Sequence, residues 1–355
     1  MPFNFYDTHT LLMAVEQLTP PTSFLRDRYF PTNDLNDLFA TTDVLVEYKD
    51  GTKKLAPFVA PRKGGVPILR QGYEMKSFTP PNIAPSRPLS IDDIQKRGFG
   101  EALLTTLTPE QRQYSLVLKD AQELSEYIAR REEWMCAEVM QTNGCIMKHI
   151  ADDATEADEM EVRYYSEASN PAKFTPSNNW TKDYDGITAD IGAMAKLLTR
   201  RGLPARELIC GGAAAEALMN NTEIQKRLDI RNYDAGRIDP ATLPNGAAHI
   251  ATLNIQGRLI DVISYDEVYT DDDGETQAFV GDKNVILTAP GAGRLCYGAV
   301  SQIEQSDGLF HTYTGRRVPK YLSEPQKNTR SLTMTSCPLP MPIQKNPFIV
   351  ATVLA

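Results

Sequence analysis

Two glycine-bearing stretches carry residue types that could bind a phosphate. The first is ELICGGAAAEAL, in which a strand-like segment leads through Gly211 and Gly212 into a helix-like segment. Backbone N–H groups at the start of a helix attract anions, and glycine lets a ligand approach the backbone closely. However, the third glycine of the dinucleotide-binding pattern is missing, and no acidic partner for a ribose can be assigned. The stretch favours a tight strand-to-helix turn, and a soluble α/β anion-binding enzyme is kept as an alternative.

The second stretch, APRKGGVP at residues 60–67, places Arg62 and Lys63 before a glycine pair. Basic side chains beside glycines suit a phosphate, but glycines also suit the tip of a long hairpin, where they supply unusual backbone angles. The flanking segments alternate in strand fashion, and Asp50-Gly51 is a hairpin signal. At the level of residue types, an anion site and a structural loop both remain open.

Other patterns that carry chemistry are incomplete. TDDDGET at residues 270–276 does not match a calcium-binding loop and favours an Asp-Gly hairpin turn. The four histidines are far apart, the five cysteines form no CxxC pair, and no G-x-S-x-G elbow is present. We therefore predict no catalytic residue, no metal site and no cofactor, with free thiols in a reducing compartment.

The charge and hydropathy of the chain exclude two kinds of partner. The chain has 355 residues and a net charge of -9, which argues against a protein that coats DNA or binds anionic lipid. No apolar run approaches the roughly 20 residues that a membrane span needs. The start of the sequence lacks a basic segment followed by an apolar run, so we expect neither a secretory signal nor membrane association.

A long amphipathic helix is the clearest element that the sequence predicts. Thr108 and Gln111 form a capping box around Pro109, and Asn143-Gly144 is a stop signal. At 1.5 Å per residue the helix would be about 50 Å long, more than a compact domain of this size needs. Charged residues on its other face are expected to be solvated. Its apolar stripe consists of Leu118, Ala121, Leu124, Ile128, Met135 and Val139.

The remaining segments are predicted to form extensions around a mixed domain. Residues 1–45 mix one short amphipathic piece with prolines and scattered aromatics, typical of an arm. Residues 44–88 read as a basic two-stranded ribbon with little that could form a core, which is marginal by itself. An α/β rhythm follows from about residue 185, and the tail from Gly315 has strand-like ends with proline joints. Such extensions suit a subunit whose arms are buried by neighbours.

This order of elements resembles the major capsid proteins of tailed bacteriophages, specifically the lambda-type phage capsid protein E family, which share the Hong Kong 97 phage fold. The resemblance runs over nearly the whole chain. The stretches that carry it are FLRDRYFP, VAPRKGGVPILRQGYEMKSFTPPNIAPSRPL, RREEWMCAEVM, EIQKRLDIRN, VILTAPGAGRLCYGAV and PLPMPIQKNPFIVATVLA. The resemblance implies an α+β fold. Its parts would be an N-terminal arm at 1–45, an extended β-hairpin loop at 46–88, a peripheral domain at 89–184 with a spine helix at 108–142, a mixed α/β axial domain at 185–314, and a C-terminal return to the peripheral domain at 315–355.

The function that the resemblance implies is structural. Copies of the chain would form pentamers and hexamers of an icosahedral shell that encloses phage double-stranded DNA without sequence-specific binding. The protein would reside in the virion after assembly in the host cytoplasm. Its further partners would be a portal, a scaffold or protease, and a decoration protein. An alternative with the same fold is an encapsulin-like nanocompartment shell, which would enclose an enzyme in place of a genome.

The resemblance also assigns residues to contacts between subunits. Arg62 and Lys63 then meet an acidic neighbouring subunit and not a free phosphate. The predicted contact residues of the extended loop are Lys53, Lys54, Arg62, Lys63, Gly64, Gly65, Arg70 and Lys76. Those of the C-terminal return are Arg316, Arg317 and Lys320.

Overall fold

The computed structural model of the chain describes residues 8–16, 22–48, 74–90, 109–150, 157–164, 173–228, 236–271, 274–305, 307–326, 328–344 and 346–355. Over these ranges the chain has an α+β architecture. The helices are α1 Thr8–Glu16, α2 Phe24–Tyr29, α3 Pro109–Thr142, α4 Ile187–Arg201, α5 Gly212–Asn220 and α6 Thr222–Leu228. The strands are β1 Val44–Tyr48, β2 Glu74–Phe78, β3 Ser86–Ser90, β4 Gly144–Ile150, β5 Ala157–Arg163, β6 Lys173–Phe174, β7 Glu207–Cys210, β8 Gly236–Thr242, β9 Ala247–Ile255, β10 Arg258–Tyr265, β11 Val268–Thr270, β12 Thr276–Ala278, β13 Asn284–Thr288, β14 Gly293–Tyr297, β15 Val300–Ile303, β16 Phe310–Tyr313, β17 Val318–Glu324, β18 Thr329–Thr335, β19 Pro338–Pro342 and β20 Ile349–Thr352.

The predicted long helix is confirmed as α3, which has 34 residues. It ends where Asn143 adopts a left-handed backbone (φ 64°) and donates its N–H to the Val139 carbonyl at 3.0 Å. The left-handed residue turns the chain directly into the β4–β5 hairpin. Of the predicted apolar stripe, Leu118 is half-buried and the other five residues are buried.

A seven-stranded sheet in the order β6-β20-β13-β7-β10-β9-β8 forms the largest layer. Because side chains alternate along a strand, Leu208 faces one side of this sheet and Ile209 faces the other. Helices α4, α5 and α6 cover the Leu208 side through an apolar cluster. The C-terminal half of α3 covers the Ile209 side together with α2. The central strands β7 and β13 are therefore buried on both faces.

The N-terminal half of α3 packs on a separate three-stranded sheet in the order β17-β18-β3. Val117, Leu124 and Ile128 of the helix share an apolar cluster with Leu332 of β18 and Leu11 of α1. One helix thus connects two separate cores. None of the helices in the described ranges is both long and apolar enough to span a membrane.

The ribbon predicted between Val44 and Pro88 is described at its base, where β1 and β2 pair antiparallel. Val44 is fully buried in the core, and the Phe78 ring lies 5.2 Å from that of Tyr164 in a T-shaped contact. Residues 49–73 lie outside the described residues, including the predicted Asp50-Gly51 turn. The base of the ribbon is therefore held by the same core that covers the sheet.

The C-terminal tail divides between the two cores. Strands β17 and β18 form the three-stranded sheet with β3, and β19 pairs with β14. Strand β20 instead enters the seven-stranded sheet between β6 and β13. The tail therefore contributes strands to both sheets.

Candidate functional site

Helix α2 lies between α3 and the seven-stranded sheet and is fixed to both by buried charged side chains. We call this place the junction. Its residues are Arg26, Arg28, Tyr29, Glu132, Glu133, Glu207, Tyr265, Tyr297 and Arg317. They come from α2, from the C-terminal half of α3, from strands β7, β10 and β14, and from the residue before β17.

Glu132 is the most connected residue of the junction and has no exposed surface. Arg317 binds it in a bidentate manner, with Nη1 2.6 Å from Oε1 and Nη2 2.8 Å from Oε2. Arg26 Nη1 lies 3.1 Å from Oε2, and the Tyr297 hydroxyl donates to Oε1 at 3.0 Å. A buried carboxylate is tolerated when it is paired and hydrogen-bonded in this way. Glu132 thereby joins the arm, the long helix and the tail.

Glu133, which lies on α3, caps the backbone N–H groups in the first turn of α2. Its Oε1 accepts the backbone N–H of Leu25 at 2.7 Å, and its Oε2 accepts that of Arg26 at 2.8 Å. The Tyr265 hydroxyl, on β10, also donates to Oε1 at 2.7 Å. Burial raises the pKa of Glu133, although these hydrogen bonds act in the opposite direction. The contact replaces the local cap that α2 lacks, since Ser23 makes no side-chain capping bond.

Glu207 fixes α2 to the seven-stranded sheet. Arg28 donates Nε at 2.8 Å and Nη2 at 2.5 Å to its two carboxylate oxygens. The Tyr29 hydroxyl donates to Oε2 at 2.6 Å, and burial raises the pKa of Tyr29, so this phenol stays a donor. Each of the three carboxylates thus accepts hydrogen bonds from at least two other segments or residues of the junction, so the junction is suited to holding elements at a set angle.

The glycine pair predicted as a turn or an anion site forms a tight turn from β7 into α5. The Ala214 N–H already donates to the Asp282 carbonyl at 2.9 Å. A Cβ on Gly212 would lie 2.8 Å from Asp266 Oδ1, so a carboxylate stands beside the start of the helix. That carboxylate would repel a phosphate, and burial raises the pKa of the nearby Cys210 thiol to about 12. The geometry gives no support to the enzyme alternative.

Strands β11 and β12, on either side of the acidic stretch at 270–276, pair antiparallel, in agreement with the predicted hairpin. Gly274 has a left-handed backbone (φ 85°), and its N–H donates to the Asp271 carbonyl at 2.9 Å. Among the described residues, no group of His, Cys, Asp and Glu is arranged to hold a metal ion.

A family model decides what kind of protein carries this fold. The model described as phage major capsid protein E matches residues 7–353. The chain belongs to the phage major capsid protein E family. It is a structural protein of the virion capsid and not an enzyme. The family resemblance stated from the sequence is confirmed.

Solved structures support the fold of this capsid protein. A crystal structure of a capsid protein assigned to a prophage of Escherichia coli CFT073 is similar with a TM-score of 0.67 at 15% identity, over 98% of this chain and 99% of that chain. A phage-related protein from Bordetella bronchiseptica RB50 gives 0.51 at 11% identity, over 96% and 94%. The holo-SrpI encapsulin complex from Synechococcus elongatus PCC 7942 gives only 0.44 at 8% identity, over 98% and 95%. The fold is that of Hong Kong 97-type capsid proteins. A search of curated protein sequences gives no match.

The predicted loop contacts of the capsid protein are mostly outside the described residues. Lys76 is described, and it is exposed on β2 with Nζ donating to the Tyr164 carbonyl at 3.3 Å. Its role between subunits stays a prediction, as do those of the residues outside the described ranges, which are Lys53, Lys54, Arg62, Lys63, Gly64, Gly65 and Arg70.

The predicted contact residues of the tail differ in their surroundings. Arg316 pairs with Asp34 near the surface, with Nη2 2.6 Å from Oδ1. Arg317 points inward to Glu132, and Lys320 is half-buried on β17. The internal role of Arg317 in the junction was not predicted, and its contact with another subunit stays a prediction.

The expectation that the charges of the long helix are all solvated was wrong for Glu132 and Glu133. One signal for Glu132 was present in the sequence. It stands four residues after Ile128 and three before Met135, which places it on the apolar stripe itself. A carboxylate at such a position requires a buried partner.

Proposed function

We propose that this capsid protein assembles through pentamers and hexamers into an icosahedral shell that encloses phage double-stranded DNA. The main structural support is the junction. Rings close only when each subunit presents its contact surfaces at a fixed angle. Buried, bidentate charge pairs between the arm, the long helix, the sheet and the tail suit that requirement because they are directional.

The regions of the chain are proposed to serve different contacts in the shell. Residues 1–45 form the arm, and 46–88 form an extended loop that lies over the adjacent subunit. Residues 89–184 form the peripheral domain, and 185–314 form the axial domain around the fivefold and sixfold axes. Residues 315–355 return toward the threefold contacts. The division is supported by α3, whose two halves pack against two different cores.

Charge supports the proposed loop contact. Residues 49–73 contain six lysines and arginines against a single acidic residue, Asp50, whereas the whole chain carries a net charge of -9. The loop of one subunit would therefore be attracted to the acidic surface of the next. On the tail, Arg316, Arg317 and Lys320 are proposed to supply further contacts.

The acidic chain is proposed to confine DNA by closure of the shell and not by binding it. A protein that grips DNA neutralises phosphates with lysine and arginine, and here acidic residues outnumber basic ones. We also propose that assembly takes place in the host cytoplasm, with a portal, a scaffold or protease, and a decoration protein as partners.

The test is to express the full chain and examine it by sedimentation and electron microscopy. Closed shells are expected from the natural sequence. A variant lacking residues 53–73, which keeps both paired strands at the base of the ribbon, is expected to fold, by circular dichroism, without forming closed shells. A well-behaved monomer from the natural sequence would contradict the proposed function. Particles that hold a protein cargo and no nuclease-protected DNA would instead indicate a nanocompartment.

A further inference from the structure

The β15–β16 hairpin presents an apolar tip to solvent. Ile303 and Phe310 are direct cross-strand partners, and Leu309 precedes Phe310 at the turn. The exposed fractions are 80% for Phe310, 62% for Leu309 and 44% for Ile303. We call these three residues the apolar tip. Single exposed apolar residues are ordinary, but three large ones side by side on one hairpin are not.

The apolar tip is held in a defined conformation. Gly308 has a left-handed backbone (φ 70°), and the Leu309 N–H donates to Asp307 Oδ1 at 3.0 Å. Asp307 also pairs with His311 across the turn, with Oδ2 2.7 Å from Nε2. The turn is closed further by a hydrogen bond from the Glu304 N–H to the Leu309 carbonyl at 3.0 Å. A partner would therefore meet an ordered surface at little entropic cost.

The base of the hairpin is fixed to the arm, so only the outer face is open. Glu304 is buried and accepts the Thr8 hydroxyl at 2.7 Å and Gln302 Nε2 at 3.0 Å. Val300 and Gln302, on the inner face, are buried. The inner face of the hairpin is therefore already packed against its own subunit, and the apolar tip is exposed on the other side.

The charge of the hairpin excludes two classes of occupant. Residues 300–313 contain Glu304 and Asp307 and no lysine or arginine. Nucleic acid and anionic membranes are bound by basic surfaces, so neither fits this one.

The size of the tip favours a second copy of this chain over a soluble partner. Three side chains offer a surface on the order of a few hundred Å², whereas a stable pairwise complex buries about 800 Å² on each partner. Such a contact is too small to hold a partner alone. It is effective where other contacts already hold the two molecules together, as between identical copies in a shell.

We infer that the apolar tip packs against a neighbouring copy of this chain in the assembled shell. The inference rests on the proposed function. It assigns Ile303, Leu309 and Phe310 to a contact between subunits, in addition to the loop and tail residues.

The first test compares Phe310→Ser with Thr312→Ser, a control on the same exposed face. Because Phe310 is largely exposed, the variant is expected to melt at the same temperature as the natural chain. The protein concentration needed for shell formation, measured by light scattering and electron microscopy, is expected to rise at least about tenfold for Phe310→Ser. Thr312→Ser is expected to assemble normally. Normal assembly of Phe310→Ser would overturn the inference.

The second test places a photoreactive benzoyl-phenylalanine at position 310 of the full chain. Illumination of shells is expected to give crosslinked dimers whose two peptides both come from this chain, and illumination of unassembled subunits is expected to give none. Crosslinks to another protein, or none in shells, would overturn the inference while leaving the proposed function intact. If the natural chain forms no shells at all, the proposed function and this contact both fail.

Discussion

The helix-covered face of the seven-stranded sheet and the junction are both buried, but by opposite means. The sheet face is lined by apolar residues such as Leu208, Val262 and Val285. The junction buries Glu132 and Glu133 among arginines and tyrosines. Apolar burial is non-directional and stabilises any close-packed arrangement. A carboxylate with several donors tolerates only one geometry. The directional contacts are therefore concentrated where segments distant in sequence must keep a fixed angle.

The largest effect is expected from Glu132→Ala. The change leaves the buried guanidinium of Arg317 without its carboxylate and removes one of the two carboxylates that Arg26 binds, which costs about 3–5 kcal/mol. Urea denaturation of the unassembled subunit measures the free energy of unfolding. A loss below about 1 kcal/mol would show that the junction holds no more firmly than a surface ion pair.

Adjacent residues of β7 give a matched comparison of the two regions. Glu207→Ala removes the acceptor of Arg28 and of the buried Tyr29 hydroxyl, and it is expected to cost about 2–3 kcal/mol. Leu208→Met, one residue on and facing the apolar side, keeps its volume and is expected to cost less than about 1.5 kcal/mol. The same urea measurement applies. Equal losses would remove the distinction between the regions.

A smaller effect is expected in the pH dependence of stability. Burial raises the pKa of Glu133 in the folded chain above its ordinary value of 4.5. At a pH between these two pKa values, folding is therefore accompanied by the uptake of a proton. The stability that Glu133 contributes is therefore full below its ordinary pKa and is lost as the pH rises through the raised pKa.

This pH effect is isolated by the variant Glu133→Gln, which cannot titrate. The difference in free energy of unfolding, natural chain minus Glu133→Gln, is expected to fall with rising pH across that interval. Urea midpoints measured at several pH values give this difference. A difference that is flat or rises with pH would contradict the assigned direction.

The smallest effect is expected from Lys119→Ala, the surface control on α3. Lys119 Nζ lies 4.0 Å from Glu123 Oε1 in an exposed i,i+4 pair. Such pairs contribute less than about 0.5 kcal/mol and are screened by salt. A loss as large as that of Glu132→Ala would mean that position along α3, and not burial of charge, determines the effect.

Much of the fold could be predicted because its signals are local. The capping box, the apolar stripe and the stop signal predict a helix over residues 108–142, and α3 is observed over Pro109–Thr142. Strand alternation and the Asp-Gly turn predicted the β11–β12 hairpin.

The junction could not be predicted because its partners are distant in sequence. Arg26 lies 106 residues from Glu132, and Arg317 lies 185 residues from it. Helix α2 has only six residues, and Ser23 at its N-cap position makes no side-chain capping bond, so the local start signal is weak. Its first turn is capped instead by Glu133, which a scan of neighbouring residues cannot detect.

The junction has a consequence for synthesis of the protein. Arg26 and Glu132 are translated well before Arg317, the bidentate partner of Glu132. The junction is therefore completed only after Arg317 has been translated. A chain that stops before Arg317 lacks the contact that joins the tail to the long helix and the arm. The junction thus couples the final position of the arm to synthesis of the tail, which disfavours the entry of chains without a tail into a growing shell.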